Sequence, residues 1–327
     1  GERVIVCGDG FWELFDAAGR SRAAGLCGAG EVSVDEVNAL FYHANAHGSI
    51  EAKRLSDGSH AFTLQTLFGP EFERSLIARR GRRLIVVGRA NRSASRSTIP
   101  PALSLIESHD LGESPAVDDL GFLTPVASAT SLTRATARLT AAFHHDTLVF
   151  GAPGEICFAE PDLRIRRRVE IRGEPLSLSL DETGDIYLQV RAEGQTSFQL
   201  ISAEGERLTT FVLSQEEVGP QTIPPIVGHD HSIFLTVSNR LVAIGSHWQL
   251  LWIAVLAGDF AGAALGAGNQ LLVSAGSAVL AYDTRGQPRT IFSVDGERLR
   301  TAPALTERGE LLVAGEDQLY CLGLQNK

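Results

Sequence analysis

Short apolar runs separated by polar or glycine-containing turns recur along the whole chain. The pattern is three to five apolar or β-branched residues, a tight turn, a second short apolar run, and a turn that contains Asp or Gly. In the first copy, residues 4–7 lead into residues 12–15, and the copy closes at Gly19. Short alternating strands bounded by turn residues are typical of antiparallel β-hairpins. The pattern therefore predicts an all-β chain, and little of the sequence shows the 3.6-residue period of a helix.

Eight copies of this hairpin pattern occur at nearly regular intervals. They begin at Val4, Leu40, Leu84, Leu148, Ile186, Ile233, Leu271 and Leu311. Consecutive starts are 36 to 47 residues apart, except for the 64 residues between Leu84 and Leu148. A four-stranded propeller blade takes roughly 40–45 residues. Because a lone hairpin is only marginally stable in water, such units need neighbours that bury their apolar faces. The repeat predicts a β-propeller of eight four-stranded blades, with seven blades as the alternative.

The long interval points to an insertion within one domain. We expect residues 1–327 to form a single propeller domain with an insertion at about 91–136. The insertion begins with a Ser/Pro-rich stretch and contains an acidic stretch at 113–119. Loops of this length are usually either functional or disordered, and both alternatives stay open here. The first copy lacks an inner strand and the last copy lacks an outer strand, so the two ends of the array are incomplete.

Composition and charge narrow the classes of partner. The chain has a net charge of −10, with 44% hydrophobic and 21% charged residues, which is typical of soluble globular proteins. The acidic balance makes a nucleic-acid partner unlikely, and the absence of any run of 18 apolar residues excludes a helical membrane span. Methionine is absent from the sequence, and we therefore expect a trimmed or processed product. We expect a cytoplasmic protein, and a periplasmic or secreted location stays open.

Several short motifs mimic catalytic or metal-binding sites. The four cysteines form no CxxC pair, so buried thiols are favoured over a zinc site or a disulfide framework. The Cys7-Gly-Asp-Gly10 segment resembles the start of a dinucleotide-binding turn, but position 13 is Glu rather than Gly, which favours a hairpin turn. The histidines at 144–145 and at 229 and 231 lie in two different copies, so we expect no metal site.

The C-terminal copies resemble a known repeat. Residues 301–322 contain Pro303 before an inner strand, a turn at Gly309, and a closing Leu319-Tyr-Cys-Leu322. Residues 271–286 repeat this pattern and end at Gly286. These segments resemble the PQQ-like propeller repeat of quinoproteins, well over about 173–327 and loosely before it. The catalytic members carry adjacent cysteines and a Trp that closes most repeats. This chain has neither, so the resemblance implies a non-catalytic, scaffold-like member without a cofactor.

Arginines are concentrated in two neighbouring copies. Of 27 arginines, 8 lie at 74–96 and 7 at 134–172. Strand alternation places Arg164, Arg166 and Arg168 on one face. The predicted partner-binding residues are Arg82, Arg83, Arg164, Arg166, Arg167 and Arg168. Guanidinium groups suit carboxylates, so an acidic segment of a protein partner fits this flank, and a solvated outer strand is the competing interpretation.

The function predicted from the sequence is that of a protein-interaction scaffold rather than an enzyme. Partners would bind through a propeller face, the insertion or the arginine flank. The alternative is an enzyme or small-ligand-binding propeller with its site at the central channel. Trp248 and Trp252, four residues apart, are expected to share one face of a strand and to pack between blades.

Overall fold

A computed structural model of the chain describes most of its residues. The described ranges are 3–8, 10–28, 32–66, 72–90, 104–111, 122–123, 140–213, 224–237, 239–306, 309–316 and 318–323. The chain divides into two compact units, residues 1–176 and 177–327.

The first unit contains four sheets that follow one another along the chain. We number them blades one to four. The first two blades contain β1 (Arg3–Gly8), β2 (Phe11–Asp16) and β3 (Ser21–Leu26), then β4 (Ser33–Asp35), β5 (Leu40–Ala44), β6 (Ile50–Arg54) and β7 (His60–Leu64). The next two contain β8 (Phe72–Arg80), β9 (Arg83–Ala90) and β10 (Ser104–Asp110), then, after the two-residue β11 (Phe122–Leu123), β12 (Thr140–His144), β13 (Thr147–Ala152), β14 (Glu155–Ala159) and β15 (Ile165–Glu170).

The second unit contains blades five to eight, and the strand that opens blade five begins at the end of the first unit. Blades five and six contain β16 (Glu174–Leu180), β17 (Ile186–Ala192), β18 (Gln195–Ile201) and β19 (Arg207–Leu213), then β20 (Ile226–Val227), β21 (Ile233–Val237), β22 (Arg240–Ile244) and β23 (Leu250–Val255). Blades seven and eight contain β24 (Phe260–Leu265), β25 (Leu271–Ala275), β26 (Ala278–Tyr282) and β27 (Pro288–Ser293), then β28 (Ala304–Leu305), β29 (Leu311–Ala314) and β30 (Leu319–Leu322). A 3-10 turn at Ala267–Asn269 connects β24 to β25.

The predicted fold class is confirmed: the chain is an all-β propeller with eight blades. Each of the eight predicted hairpin starts lies in a strand, from Val4 in β1 to Leu311 in β29. Over the described residues, four blades have four strands, three have three, and the second has five because β11 pairs in parallel with β7. The first and last blades are among those with three strands, in the positions expected from the sequence. No helix in the described ranges is both long and apolar enough to cross a membrane.

The predicted insertion overlaps the third blade. Ser104–Asp110 forms β10, which pairs antiparallel with β9 over its whole length. Phe122–Leu123 forms the strand on β7. Residues 91–103, 112–121 and 124–136, with the acidic stretch at 113–119, lie outside the described residues. The single-domain organisation stays a prediction.

A β-bulge recurs between the last two antiparallel strands of the blades. In six blades the register between the last two antiparallel strands shifts by one residue, so that one residue of the outer strand has no direct partner. The six bulged residues are Arg22, Ala61, Arg166, Leu208, Leu251 and Ile291. Such bulges increase local twist and re-aim side chains at a sheet edge. Six of the eight blades therefore share this feature over the described residues.

The turn before the outer strand has a second recurring feature, a residue with left-handed backbone. Gly58 (φ +70°) and Gly286 (φ +74°) occupy this position in the second and seventh blades, and a Trp of the preceding blade lies against each. A Cβ on Gly286 would lie 2.5 Å from the Trp252 ring. In the fourth and sixth blades the position holds Leu163 (φ 67°) and Trp248 (φ 63°), whose own side chains pack in the inter-blade core. The space beside this turn is therefore filled either by a Trp of the preceding blade or by the side chain of the turn residue itself.

Candidate protein-interaction surfaces

Four of the six predicted arginines lie in the fourth blade, Arg164 just before its outer strand β15 and the other three within β15. Arg164, Arg166 and Arg168 are exposed, as strand alternation predicts, although Arg166 is the bulged residue. Arg167 faces the opposite side, where its guanidinium lies 3.9 Å from the ring centroid of Phe158. The described structure therefore presents three of these four side chains to solvent and holds the fourth over an aromatic ring.

Each of these three exposed arginines has a carboxylate partner within its own blade. Glu160 accepts hydrogen bonds from Arg164 Nη2 at 2.5 Å and from Arg166 Nε at 2.6 Å. Arg168 Nη1 lies 3.2 Å from Glu155 Oε2. The two arginines hold the pKa of the Glu160 carboxyl below its usual range, against a smaller opposing effect of burial. Much of the flank's positive charge is thus compensated locally, and isolated exposed pairs of this kind contribute only about 0–1 kcal/mol.

The remaining predicted arginines lie in the third blade. Arg82 and Arg83 are at the β8–β9 turn, 3.5 and 3.7 Å from the carboxylate of Asp110. Arg80, which belongs to the same arginine-rich segment but not to the predicted partner-binding set, links the third and fourth blades. Its Nε donates to the carbonyl of His145 at 2.9 Å, and its guanidinium lies 4.7 Å from the Phe143 ring centroid. The arginine that joins these two blades is therefore outside the predicted set.

The motifs that mimic active sites lie in turns. Cys7 and Gly8 end β1, and Gly10, with φ +85°, directly precedes the antiparallel strand β2, so a strand follows where a dinucleotide site requires a helix. His229 and His231 are largely exposed beside the carboxylates of Glu182 and Asp181. Among the described residues no three His, Cys, Asp or Glu side chains are grouped as metal ligands.

Trp248 and Trp252 pack between blades but do not share a face. Trp248 lies in the turn before β23, and its ring is 6.2 Å from that of Phe198 in the fifth blade. Trp252 is in β23 and stacks on Tyr282 of the seventh blade, with ring centroids 5.7 Å apart. The predicted core packing is confirmed, and the predicted common face is wrong because the turn at Trp248 interrupts strand alternation.

The outer strand of the sixth blade exposes a row of apolar side chains that the sequence did not reveal. In β23, Leu251, Ile253 and Val255 are 45%, 42% and 66% exposed, while Trp252 and Ala254 face the core. The strand contains no charged residue. Edge strands are usually protected by charged side chains or a covering element. In the described sheet β23 is at the edge, and it pairs only with β22.

The bulged positions divide by unit. In the first unit Arg22 and Arg166 are exposed at this position, and both make ion pairs. In the second unit Leu208, Leu251 and Ile291 are 51%, 45% and 38% exposed. The third bulged residue of the first unit, Ala61, packs against the core of its blade. The bulge therefore presents charge at two of three positions in the first unit and apolar surface at all three positions in the second. Clustered exposed apolar residues are characteristic of protein-interaction sites.

Solved structures share the fold over nearly the whole chain. BamB from Moraxella catarrhalis has a TM-score of 0.65 and 13% identity over 97% of this chain and 92% of its own. The computationally designed protein Ika8 also has a TM-score of 0.65 and 13% identity, over 98% and 93% of the two chains. No protein-family model and no curated protein matches the sequence. A natural and a designed chain match equally well, so the similarity shows the β-propeller fold alone.

Proposed function

We propose that this chain is a non-catalytic protein-interaction scaffold that binds an apolar segment of a partner protein along β23 of the sixth blade. The observation that carries the proposal is the exposed row of Leu251, Ile253 and Val255 on an uncharged edge strand. The bulge at Leu251 protects the start of the strand from pairing, whereas residues 252–255 keep regular alternation. An extended segment added beside them would bury the row and use the outer backbone groups.

The resemblance to PQQ-like repeats and the likeness to BamB, a protein of that repeat class, support a scaffold role in general terms. The arginine flank stays a second proposed surface, for an acidic partner segment. It is the weaker of the two, because a partner's carboxylates would have to displace Glu160 and Glu155 from Arg164, Arg166 and Arg168.

The test begins with a photoreactive amino acid placed at Ile253 and, as a matched control, at Thr290, which is exposed on the outer strand of the next blade. A protein cross-linked from position 253 but not from 290 is then purified and titrated against the chain by calorimetry. The double variant Ile253→Glu/Val255→Glu is expected to weaken binding at least 30-fold, the effect of a hot spot worth about 2 kcal/mol.

Two results would overturn the β23 proposal. One is an unchanged Kd in the double variant; the other is cross-linking to a second copy of this chain, which would make the row a self-association surface. The double variant Arg166→Ala/Arg168→Ala measures the arginine flank separately, and it leaves Arg167 on Phe158 so that the blade core stays intact.

A further inference from the structure

Two cysteines that are twenty residues apart in sequence meet in the first blade. The Sγ atoms of Cys7 in β1 and Cys27 just after β3 are 3.4 Å apart. Cys27 is buried in a cluster with Trp12, Leu14 and Phe41, and Cys7 packs against the edge of this cluster. The sequence predicted buried free thiols: all four cysteines are free, Cys27 and Cys157 are buried, Cys7 is partly buried, and only Cys321 departs from the prediction because it is exposed.

The backbone fixes this approach from both sides of Cys27. Its N–H donates to the Gly10 carbonyl at 2.8 Å, which folds the chain after β3 across the β1–β2 turn. The next residue, Gly28, donates to the Ala44 carbonyl at 2.6 Å. A Cβ at Gly28 would lie 2.5 Å from the Asn45 carbonyl oxygen, so only glycine permits this path. The position of Cys27 is therefore held by the turn of its own blade and by the second blade.

We propose that Cys7 and Cys27 are a modification site, at which a small-molecule disulfide such as glutathione disulfide converts the two thiols into an intramolecular disulfide. Bond formation requires the sulfurs to move from 3.4 Å to about 2.05 Å. The product would tie β1, the first strand of the first blade, to the segment that follows its last strand. In the described first sheet β1 is an edge strand, and its ladder partner is β2.

The exchange is balanced in two steps. The Cys7 thiolate, which is the more accessible of the two, attacks one sulfur of glutathione disulfide, forms a mixed disulfide and releases one glutathione thiolate. The Cys27 thiol then loses its proton and displaces the second glutathione from Cys7. Two protein thiols are oxidised and one glutathione disulfide is reduced to two glutathione thiols.

The environment of Cys7 makes this reaction slow at neutral pH. Burial, with added effects of the hydrogen bond and charge of Cys27, raises the pKa of the Cys7 thiol to about 12. Because the thiolate is the attacking species, the rate should rise about tenfold for each pH unit well below that pKa. The site is thus suited to slow oxidation rather than to a rapid response.

The test exposes the reduced full-length chain to glutathione disulfide and maps disulfides by mass spectrometry of unreduced peptides. We expect the Cys7–Cys27 peptide pair to accumulate, about tenfold faster per pH unit between pH 7 and 9. The exposed Cys321 serves as the internal control, because it should acquire only a mixed disulfide. The variant Cys321→Ser should retain the cross-link, and Cys7→Ser should lose it.

Recovery of Cys7 and Cys27 as separately alkylated thiols, while Cys321 has been glutathionylated, would overturn the proposal. So would a dominant disulfide between Cys27 and any other cysteine. Both outcomes are read on the unsubstituted chain, so they do not depend on whether a variant folds. Neither outcome bears on partner binding at β23.

Discussion

Replacing Gly286 with alanine is expected to destabilise the second unit by about 2–5 kcal/mol. Two costs add. The backbone at Gly286 has φ +74°, a left-handed conformation that costs a residue with a Cβ about 1–2 kcal/mol. The new methyl group would also lie 2.5–2.8 Å from three atoms of the Trp252 ring, and overpacking of this kind costs about 1–3 kcal/mol. Urea unfolding followed by far-ultraviolet circular dichroism measures the sum.

Gly296 provides a matched control for the backbone cost. Its φ is +77°, and a Cβ there would meet no atom within 4 Å, so Gly296→Ala should cost only about 1–2 kcal/mol. Against a Trp252→Leu background, the cost of Gly286→Ala should fall to the same value, because the ring that obstructs the methyl group has been removed. Equal effects of the two alanine substitutions, or an unchanged effect of Gly286→Ala in that background, would refute the steric argument.

Three further predictions concern other sites. The Cys7–Cys27 disulfide should raise the free energy of unfolding by about 3 kcal/mol, because it closes a loop of some twenty residues. The test compares the urea midpoints of the chain with and without reductant. An equal shift of the midpoint in Cys7→Ser, which cannot form the disulfide, would contradict the prediction. Arg164→Met should raise the Glu160 pKa towards its usual 4.5, as measured by an NMR titration. Because the Glu160 pKa is lowered in the folded state, its ion pairing stabilises the fold above about pH 4.5, and this stabilisation is lost as the pH falls through the pKa of the folded state. The variant should therefore lose less stability in acid than the unsubstituted chain. Leu163→Gly should destabilise by about 2–4 kcal/mol, because lost burial outweighs relief of its positive φ, and increased stability in urea would contradict this.

The repeat could be predicted because it is encoded locally. Strand starts such as Leu40, Ile186 and Leu271 are the first apolar residues of buried strands that follow turns, and turn residues with special backbone geometry, such as Gly19 and Gly286, mark the intervals. Each of these two signals is contained in a few consecutive residues, so both can be recognised without any knowledge of tertiary contacts.

The surfaces could not be predicted in the same way. Leu250–Val255 is apolar at every position, which is also the pattern of a strand buried on both faces; only its position at the sheet edge exposes Leu251, Ile253 and Val255. The ion pair between Arg168 and Glu155 depends on the cross-strand register of β14 and β15, which contains a bulge that the sequence does not mark. The spacing of the cysteines in the sequence does not indicate that Cys7 and Cys27 meet, because their contact depends on how the chain after β3 crosses the β1–β2 turn.

The two ways of filling the space beside the turn limit how this array can grow by gene duplication. A second copy of the sixth blade, inserted directly after the first, would place a tryptophan equivalent to Trp248 where the Trp252 ring of the preceding copy already lies against Gly286. Two indole rings cannot occupy that volume. A duplicated blade fits only where the residue in its turn leaves room for the aromatic ring of the preceding blade. The order of the blades is therefore constrained as well as their number.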